Sequence, residues 1–172
     1  MRGDQSGTIE WPDGGFPGIR INPDTLLSEI VSEETCAAAL EASTDPADQV
    51  LVLLVEGRAA DAAELVAEAR YKDPESFTLR AYEADVLRVS HRYDRAVELF
   101  RQLLTEAQGT ANEALAYQYL GRMQFVAGNI AAAVESFTRA LDLRVAQSAD
   151  AALIYSSTVA LQRARDVFEL AS

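Results

Sequence analysis

The fold class is most evident in AYQYLGRMQFVAGNIAAAVESFTRA, residues 116–140. Apolar and small residues recur every three or four positions on both sides of Gly128, which predicts two amphipathic helices joined by a tight turn. Gly121 in the first helix and Ala133 in the second are small, so the two helices can approach closely. Phe137 follows one turn after Ala133 and fills the remaining space between them. The stretch therefore predicts an antiparallel helical hairpin.

The same pattern occurs twice upstream of this stretch. The matching pairs, each 34 residues apart, are Ala62 with Ala96, Val66 with Phe100, and Ala69 with Leu103. Three additional residues, placed in the loop at 108–113, bring Ala133, Phe137 and Ala140 into the same register, and an insertion in a loop costs little. Because one hairpin cannot bury both of its apolar faces, a repeat of this kind predicts a stacked array.

Periodicity and capping residues predict a chain that is helical from residue 24 onward. The predicted helices lie at 24–31, 32–42, 45–56, 60–71, 75–90, 94–107, 112–127, 131–145 and 149–170. Asp24, Ser32 and Asp45 are suitable N-caps for the first three. Thr110 with Glu113 matches a capping box, in which each side chain satisfies a free backbone donor of the other. The predicted fold class is all-α.

The N-terminal end differs from the rest of the chain. Residues 1–22 contain five glycines and two prolines and show no helical period, which predicts an irregular segment before a single helical-repeat domain at 23–172. The segment WPDGGFPGIRI (residues 11–21) nevertheless carries a tryptophan, a phenylalanine and two isoleucines. Three interpretations stay open: it lies in the protein's own groove as an internal ligand, it packs on the outside of the helices, or it is disordered.

The repeat resembles the tetratricopeptide repeat (TPR) family. The residues that carry the resemblance are Tyr117, Leu120, Gly121, Gly128, Ala133, Phe137 and Ala140. Gln124 departs from the family's usual tyrosine, and the run FTRALDLR is similar to longer variants of the repeat in bacterial regulators. The resemblance covers residues 43–147 and implies a right-handed superhelical array of antiparallel hairpins. Its units are three repeats at about 43–76, 77–110 and 114–147 and a capping helix at about 149–170.

The resemblance also implies that the first helices of successive hairpins line a concave groove for peptides. The residues selected as this peptide-binding groove are Tyr82, Asp85, Arg88, Gln118, Tyr119, Arg122 and Phe125. Leu51, Leu54 and Val55 occupy equivalent places in the first unit. Two interpretations stay open for the apolar members: they contact a partner, or they are core residues beneath the flanking helices.

In TPR proteins that grip a C-terminal carboxylate, lysine, arginine and asparagine side chains form the clamp. The corresponding places here are Ala47, Leu51, Tyr82, Leu115 and Tyr119. None of these side chains is a cation, so acidic chaperone tails are not expected as ligands. The predicted partner is a hydrophobic peptide or an amphipathic helix.

Composition excludes several classes of function. The net charge of −12 and the pI of about 4.4 disfavour binding to a phosphate backbone, so no nucleic-acid partner is predicted. Residues 1–68 carry 14 acidic and three basic side chains, which either solubilise the protein or attract a basic partner. The chain lacks an apolar run long enough for a membrane span, and its single cysteine suits a reducing compartment, so a cytoplasmic protein is expected.

The sequence contains no recognisable catalytic constellation. His91 is the only histidine and lies in a predicted hairpin turn, and Cys36 is the only cysteine and lies among alanines. No catalytic, cofactor-binding or metal-binding residues are therefore predicted. The predicted function is a non-catalytic protein–protein scaffold or adaptor. The alternative is a chaperone-like client holder or a regulator that its own N-terminal segment inhibits.

Overall fold

The structure is a computed structural model that describes residues 9–171. This part of the chain folds into a short β-hairpin followed by eight α-helices, which confirms the predicted all-α class. The strands are β1 (Ile19–Ile21) and β2 (Ser28–Ile30). The helices are α1 (Glu33–Ala42), α2 (Pro46–Val55), α3 (Ala59–Lys72), α4 (Phe77–Val89), α5 (Tyr93–Ala107), α6 (Glu113–Val126), α7 (Ile130–Ala146) and α8 (Ala151–Ala171).

From α2 onward each helix packs against the next one in the chain. In addition α2 contacts α4, and α6 contacts α8. The even-numbered helices α2, α4, α6 and α8 all contribute to one surface, here called the inner face, and this face lines a cavity.

The buried residues of the helices occupy the predicted repeat positions. Ala62, Ala96 and Ala133 are completely buried, at 0% exposure each. Gly121 is also buried, and a Cβ atom added to it would lie 2.7 Å from the ring of Phe137. Close helix contact at α6 and α7 therefore depends on the absence of a side chain at residue 121.

The turns between paired helices also repeat. Gly57, His91 and Gly128 follow α2, α4 and α6 with φ angles of 77°, 61° and 89°. In each turn the backbone N–H of this residue donates to the carbonyl three residues earlier, and the next N–H donates to the carbonyl five residues before itself. This left-handed cap ends each helix by satisfying its free carbonyls. His91 adopts the conformation that glycine supplies in the other two turns.

The predicted helix at 24–31 is wrong. β1 and β2 form an antiparallel hairpin in which Ile19 lies opposite Ile30. Asn22 organises the connecting loop, because its Oδ1 accepts the N–H of Asp24 at 2.8 Å and its own N–H donates to the carbonyl of Leu27 at 2.9 Å. This turn competes with helix formation, and the strand pairing satisfies the backbone groups that a helix would have used.

The non-helical part of the chain extends beyond residue 22, where the irregular segment was predicted to end. The non-helical segment continues to residue 32, and its residues 19–21 form a strand instead of being irregular. Residues 1–8, which belong to the predicted irregular segment, lie outside the described part of the chain.

Two predicted N-caps form and the capping box does not. Ser32 Oγ accepts the N–H of Thr35 at 3.2 Å, and Asp45 Oδ1 accepts the N–H of Ala47 at 2.9 Å. Thr110 Oγ1 instead donates back to the carbonyl of Ala107 at 2.6 Å. The loop before α6 therefore closes the end of α5, and α6 begins without a side-chain cap.

Candidate functional site

Residues 9–32, here called the cover segment, lie over the inner face. Leu26 of its loop belongs to a buried cluster with Phe137 of α7 and with Ala160 and Leu161 of α8. The Leu26 side chain is only 2% exposed, although it comes from a loop. Its backbone has a φ of 60°, which is a strained conformation for a leucine. We call the cluster that receives it the Leu26 seat.

A second anchor joins the cover segment to α1 and α2. Ile19 is 1% exposed and packs with Cys36 and Val52. The carbonyl of Gly18 accepts the N–H groups of Val31 and Ser32 at 2.8 and 3.2 Å. The β-hairpin is thereby tied to the beginning of α1.

Two hydrogen bonds from α8 complete the attachment. The hydroxyl of Tyr155 donates to the carbonyl of Glu10 at 2.7 Å. Nε of Arg163 donates to the carbonyl of Asp24 at 2.9 Å. The cover segment therefore extends from α1 and α2 at one end of the inner face to α8 at the other.

A cavity of about 540 Å³ lies between the cover segment and the inner face. From the cover segment it is lined by residues that include Pro12, Ile21, Leu26 and Leu27. From the helices its apolar lining includes Leu51, Leu54, Val55, Val89, Leu115 and Val126. Exposed residues, among them Asp13, Gly15, His91 and Leu153, also border the cavity, so it opens to solvent.

Asp85 is the centre of a charged cluster in the cavity wall. Arg88 holds its carboxylate through Nε at 2.6 Å and Nη2 at 3.0 Å, and Nη2 of Arg122 lies 3.4 Å from Oδ1. Burial alone would raise the pKa of Asp85, but the charge of Arg122 and the hydrogen bond and charge of Arg88 outweigh it and hold the pKa below its ordinary value. Asp85 is thus ionised at neutral pH, and the three groups together carry one positive charge.

Two tyrosines form the aromatic part of the lining. Burial raises the pKa of Tyr82 and that of Tyr119, so both phenols are neutral. The Tyr119 ring lies 5.9 Å from the ring of Phe100, and the guanidinium of Arg122 lies 5.9 Å from the Tyr119 ring centre. Tyr119 therefore joins the core of α4 and α5 to the cavity wall.

Arg144 of α7 was not among the predicted site residues, yet it reaches the cavity. It is 4% exposed, and its Nη1 donates to the carbonyl of Leu153 at 3.1 Å and to Ser157 Oγ at 2.9 Å. Ser157 Oγ in turn donates to Oε1 of Gln118 at 2.7 Å. Within residues 9–171 no carboxylate oxygen lies within 4.0 Å of the Arg144 guanidinium. Burial accordingly lowers the pKa of Arg144.

A signal for Arg144 was present in the sequence. Arg144 continues the apolar stripe Ala133, Phe137 and Ala140 at the next helical step, so a buried position was predictable. The position of its charge at a cavity was not predictable, because Ser157 and Leu153 come from α8.

The structure brings together most of the predicted groove. Tyr82, Asp85, Arg88, Gln118, Tyr119 and Arg122 all line the cavity. Phe125 instead packs against the cluster that contains Phe137 and Leu26, as in the alternative interpretation. Leu51 and Val55 line the cavity and also pack against the cluster that contains Ile19 of β1 and Cys36 of α1.

The two residues considered for chemistry lie apart from each other. Cys36 is buried, and burial together with Glu33 and Glu56 raises the pKa of its thiol. His91 is exposed in the turn after α4, with Nδ1 3.0 Å from the hydroxyl of Tyr93. In the described part of the chain no three His, Cys, Asp or Glu side chains are grouped to hold a metal ion. No helix there is long and apolar enough to cross a membrane.

Comparison of the chain with models of known families, with curated proteins and with solved structures finds no match. Function is therefore inferred from the geometry of the inner face and of the cavity.

Proposed function

We propose that this chain is a non-catalytic protein-binding scaffold, a TPR-like right-handed superhelical array whose inner face receives an apolar segment of a partner protein. In this proposal the cover segment occupies the face when the partner is absent and so inhibits binding. The observation that carries the proposal is Leu26, a loop residue that inserts its side chain into the seat formed by Phe137, Ala160 and Leu161.

The backbone of Leu26 supports this interpretation. A left-handed conformation costs an L-residue about 1 kcal/mol or more, and strain of this kind persists only when surrounding contacts compensate for it. Here the compensation is burial of the leucine side chain between α7 and α8. The seat therefore accepts an apolar side chain that a peptide loop presents.

The polar contacts of the cover segment are ones that another peptide can reproduce. Tyr155 and Arg163 donate to backbone carbonyls, those of Glu10 and Asp24, and not to particular side chains. Every peptide carries such carbonyls, whereas specificity comes from pockets for side chains. A partner segment that fills the Leu26 seat can therefore replace the cover segment.

The cover segment and a partner protein compete for the inner face, and the covalent attachment of the cover segment favours it in this competition. A short tether gives the cover segment an effective concentration of about 1 mM at the inner face. A free partner at lower concentration displaces it only by binding the face correspondingly more tightly. The proposed regulation is thus a competition between a weak tethered ligand and a stronger free one.

The test compares two full-length baits in lysate of the source cell, wild type and Leu26→Asn. Asparagine tolerates the left-handed conformation but cannot fill an apolar seat, so this variant should expose the face without straining the loop. Val31→Asn is the matched control, because Val31 lies on the same segment and is 53% exposed. Cross-linking and mass spectrometry then identify retained proteins and the residues they contact.

The expected result is a protein that Leu26→Asn enriches over both other baits and whose cross-links map to α2, α4, α6 and α8. A synthetic peptide of residues 9–32 should release it. Enrichment without cross-links to the inner face, or equal capture by all three baits, would contradict the proposal. Suppressed aggregation of a client without a retained complex would favour the client-holder alternative.

A further inference from the structure

We infer that the cavity beneath the cover segment binds a small amphipathic carboxylate, with the carboxylate on Arg144 and the apolar body against α2, α4 and α6. This site goes beyond the proposed scaffold function. It exists while the cover segment is in place, and it requires no protein partner.

The first observation is the unused edge of a buried guanidinium. Arginine has five N–H donors, and Arg144 uses the two on Nη1 for Leu153 and Ser157. Its Nε–H and the two N–H groups of Nη2 make no hydrogen bond among residues 9–171 and are not fully enclosed by protein atoms, so they open to the cavity that the side chain lines. A buried cation without a counter-charge is unfavourable, and a bound anion removes that cost.

The free edge also specifies the shape of the anion. The Nε and Nη2 donors of an arginine form a fork that matches the two oxygens of a carboxylate. Arg88 uses this same pair of nitrogens to hold Asp85 in the neighbouring wall, at 2.6 and 3.0 Å. One free fork suits a single carboxylate, whereas a phosphate would require more donors for its additional oxygens.

The buried and half-buried part of the cavity wall has a positive net charge, which favours binding of a carboxylate. Its buried and half-buried charges are Arg88, Arg122, Arg144 and Asp85, which sum to +2. The whole chain, in contrast, carries −12. Arg88 and Arg122 share Asp85 and together with it carry +1, whereas Arg144 has no carboxylate oxygen within 4.0 Å among residues 9–171.

The remaining wall fits an apolar body. Apart from the charged groups and tyrosines, the helices contribute mostly leucine and valine side chains to the lining. The volume of about 540 Å³ lies in the range of sites for small organic molecules, which are mostly apolar with a few placed polar groups. A carboxylate with a hydrocarbon chain satisfies both parts of the wall.

The test measures binding of decanoate to the full-length protein by titration calorimetry, with decanol as the neutral probe of similar shape. Wild type should bind decanoate saturably at one site, and decanol more weakly. Arg144→Gln should weaken decanoate binding about tenfold to a hundredfold, the usual value of hydrogen bonds to a charged group, and leave decanol binding unchanged. Arg139→Gln is the control, because Arg139 is exposed on the same helix beside Tyr117.

A second variant keeps the test decisive if Arg144→Gln fails to fold. Leu115→Trp adds volume to the cavity wall without changing any charge, and it should abolish decanoate binding while circular dichroism remains unchanged. Three results would overturn the inference: no saturable decanoate binding by wild type, equal affinity for decanol, or unchanged decanoate affinity in either folded variant. None of these results bears on cross-links to a partner, so the scaffold proposal and the anion site fail separately.

Discussion

The helical array (α2 to α8) and the cover segment each bury an apolar side chain equally well, but by different means. Phe100 in the array and Leu26 in the cover segment are each 2% exposed. Phe100 packs with residues of its own and the adjacent helices, in a pattern that the next unit repeats. Leu26 packs with residues more than a hundred positions away, on α7 and α8. The array is therefore held by many recurring contacts and the cover segment by a few separate anchors.

Two strained residues show the same difference. His91 and Leu26 have nearly identical φ angles, 61° and 60°. His91 is exposed and occupies a turn in which the other units have glycine, so nothing in its side-chain burial offsets the strain. Leu26 offsets its strain by filling the seat. The strain at His91 destabilises the turn and no burial of its side chain compensates for it. The strain at Leu26 is compensated when the cover segment docks on α7 and α8.

The largest loss of stability is expected from a substitution in the charged cluster of α4 and α6, which lies in the wall of the inner face. Asp85→Asn leaves the half-buried Arg88 and Arg122 without their counter-charge, which should lower the free energy of unfolding by up to about 3–5 kcal/mol. Urea denaturation followed by circular dichroism measures this loss. Asp142→Asn, at an exposed position of α7, should change it by less than about 0.5 kcal/mol. Equal effects of the two substitutions would show that the cluster contributes no specific stability.

The same cluster predicts a pH dependence. Because the folded pKa of Asp85 lies below its unfolded value of about 4, its contribution is complete above that pH and is lost as the pH falls through the folded pKa. Stability measured from neutral pH downward should therefore decrease less steeply in Asp85→Asn than in wild type. Identical slopes below about pH 4 would contradict the depressed pKa.

The second largest effect should distinguish the stability of the cover segment from that of the helical array. Leu26→Ala removes a buried side chain from the seat and should weaken docking of the cover segment by about 2–5 kcal/mol, up to the full docking energy. Amides of residues 19–30 should then exchange at least about tenfold faster with solvent, because an isolated two-stranded hairpin is marginally stable. Amides of α5 should keep their protection. Parallel loss of protection in both regions would mean that they unfold as one unit.

A smaller effect tests the repeat contact itself. Gly121→Leu places a side chain where the Phe137 ring already lies within 2.7 Å of the added Cβ, so overpacking should destabilise the protein by about 1–3 kcal/mol. Thermal unfolding measures the loss. Ala131→Leu, at an exposed position of α7, is the control and should leave the melting temperature nearly unchanged. A melting temperature in Gly121→Leu equal to that of the control would refute the predicted register.

The smallest effect concerns the repeat turn. His91→Gly relieves a left-handed conformation without removing a buried contact and should stabilise the protein by about 1 kcal/mol. Gly57→Ala, at the equivalent turn with a φ of 77°, should destabilise it by a similar amount. Chemical denaturation of both variants provides the measurement. Shifts of the same sign would show that the two turns are not equivalent.

The buried residues and the turns of the helical array could be predicted because they depend on the spacing of residues that are close in the sequence. The burial of Ala62, Ala96 and Ala133, and the left-handed turns at Gly57 and Gly128, follow from apolar residues and glycines that recur along the chain. Six of the seven predicted groove residues line the cavity for the same reason. Phe125 instead packs against the cluster of Leu26 and Phe137, whose members come from the cover segment, α7 and α8.

The helices from residue 33 onward, their small contact residues and their order could be predicted from the sequence, because each depends on residues that are close in the chain. Two features depend on tertiary contacts: the β-hairpin of residues 19–30 lies over the inner face, and Arg144 lies at a cavity with no carboxylate within 4.0 Å among residues 9–171. The hairpin depends on a seat built by α7 and α8, and the environment of Arg144 depends on Gln118 and Ser157. These partners are distant in sequence, and no local pattern encodes which of them meet.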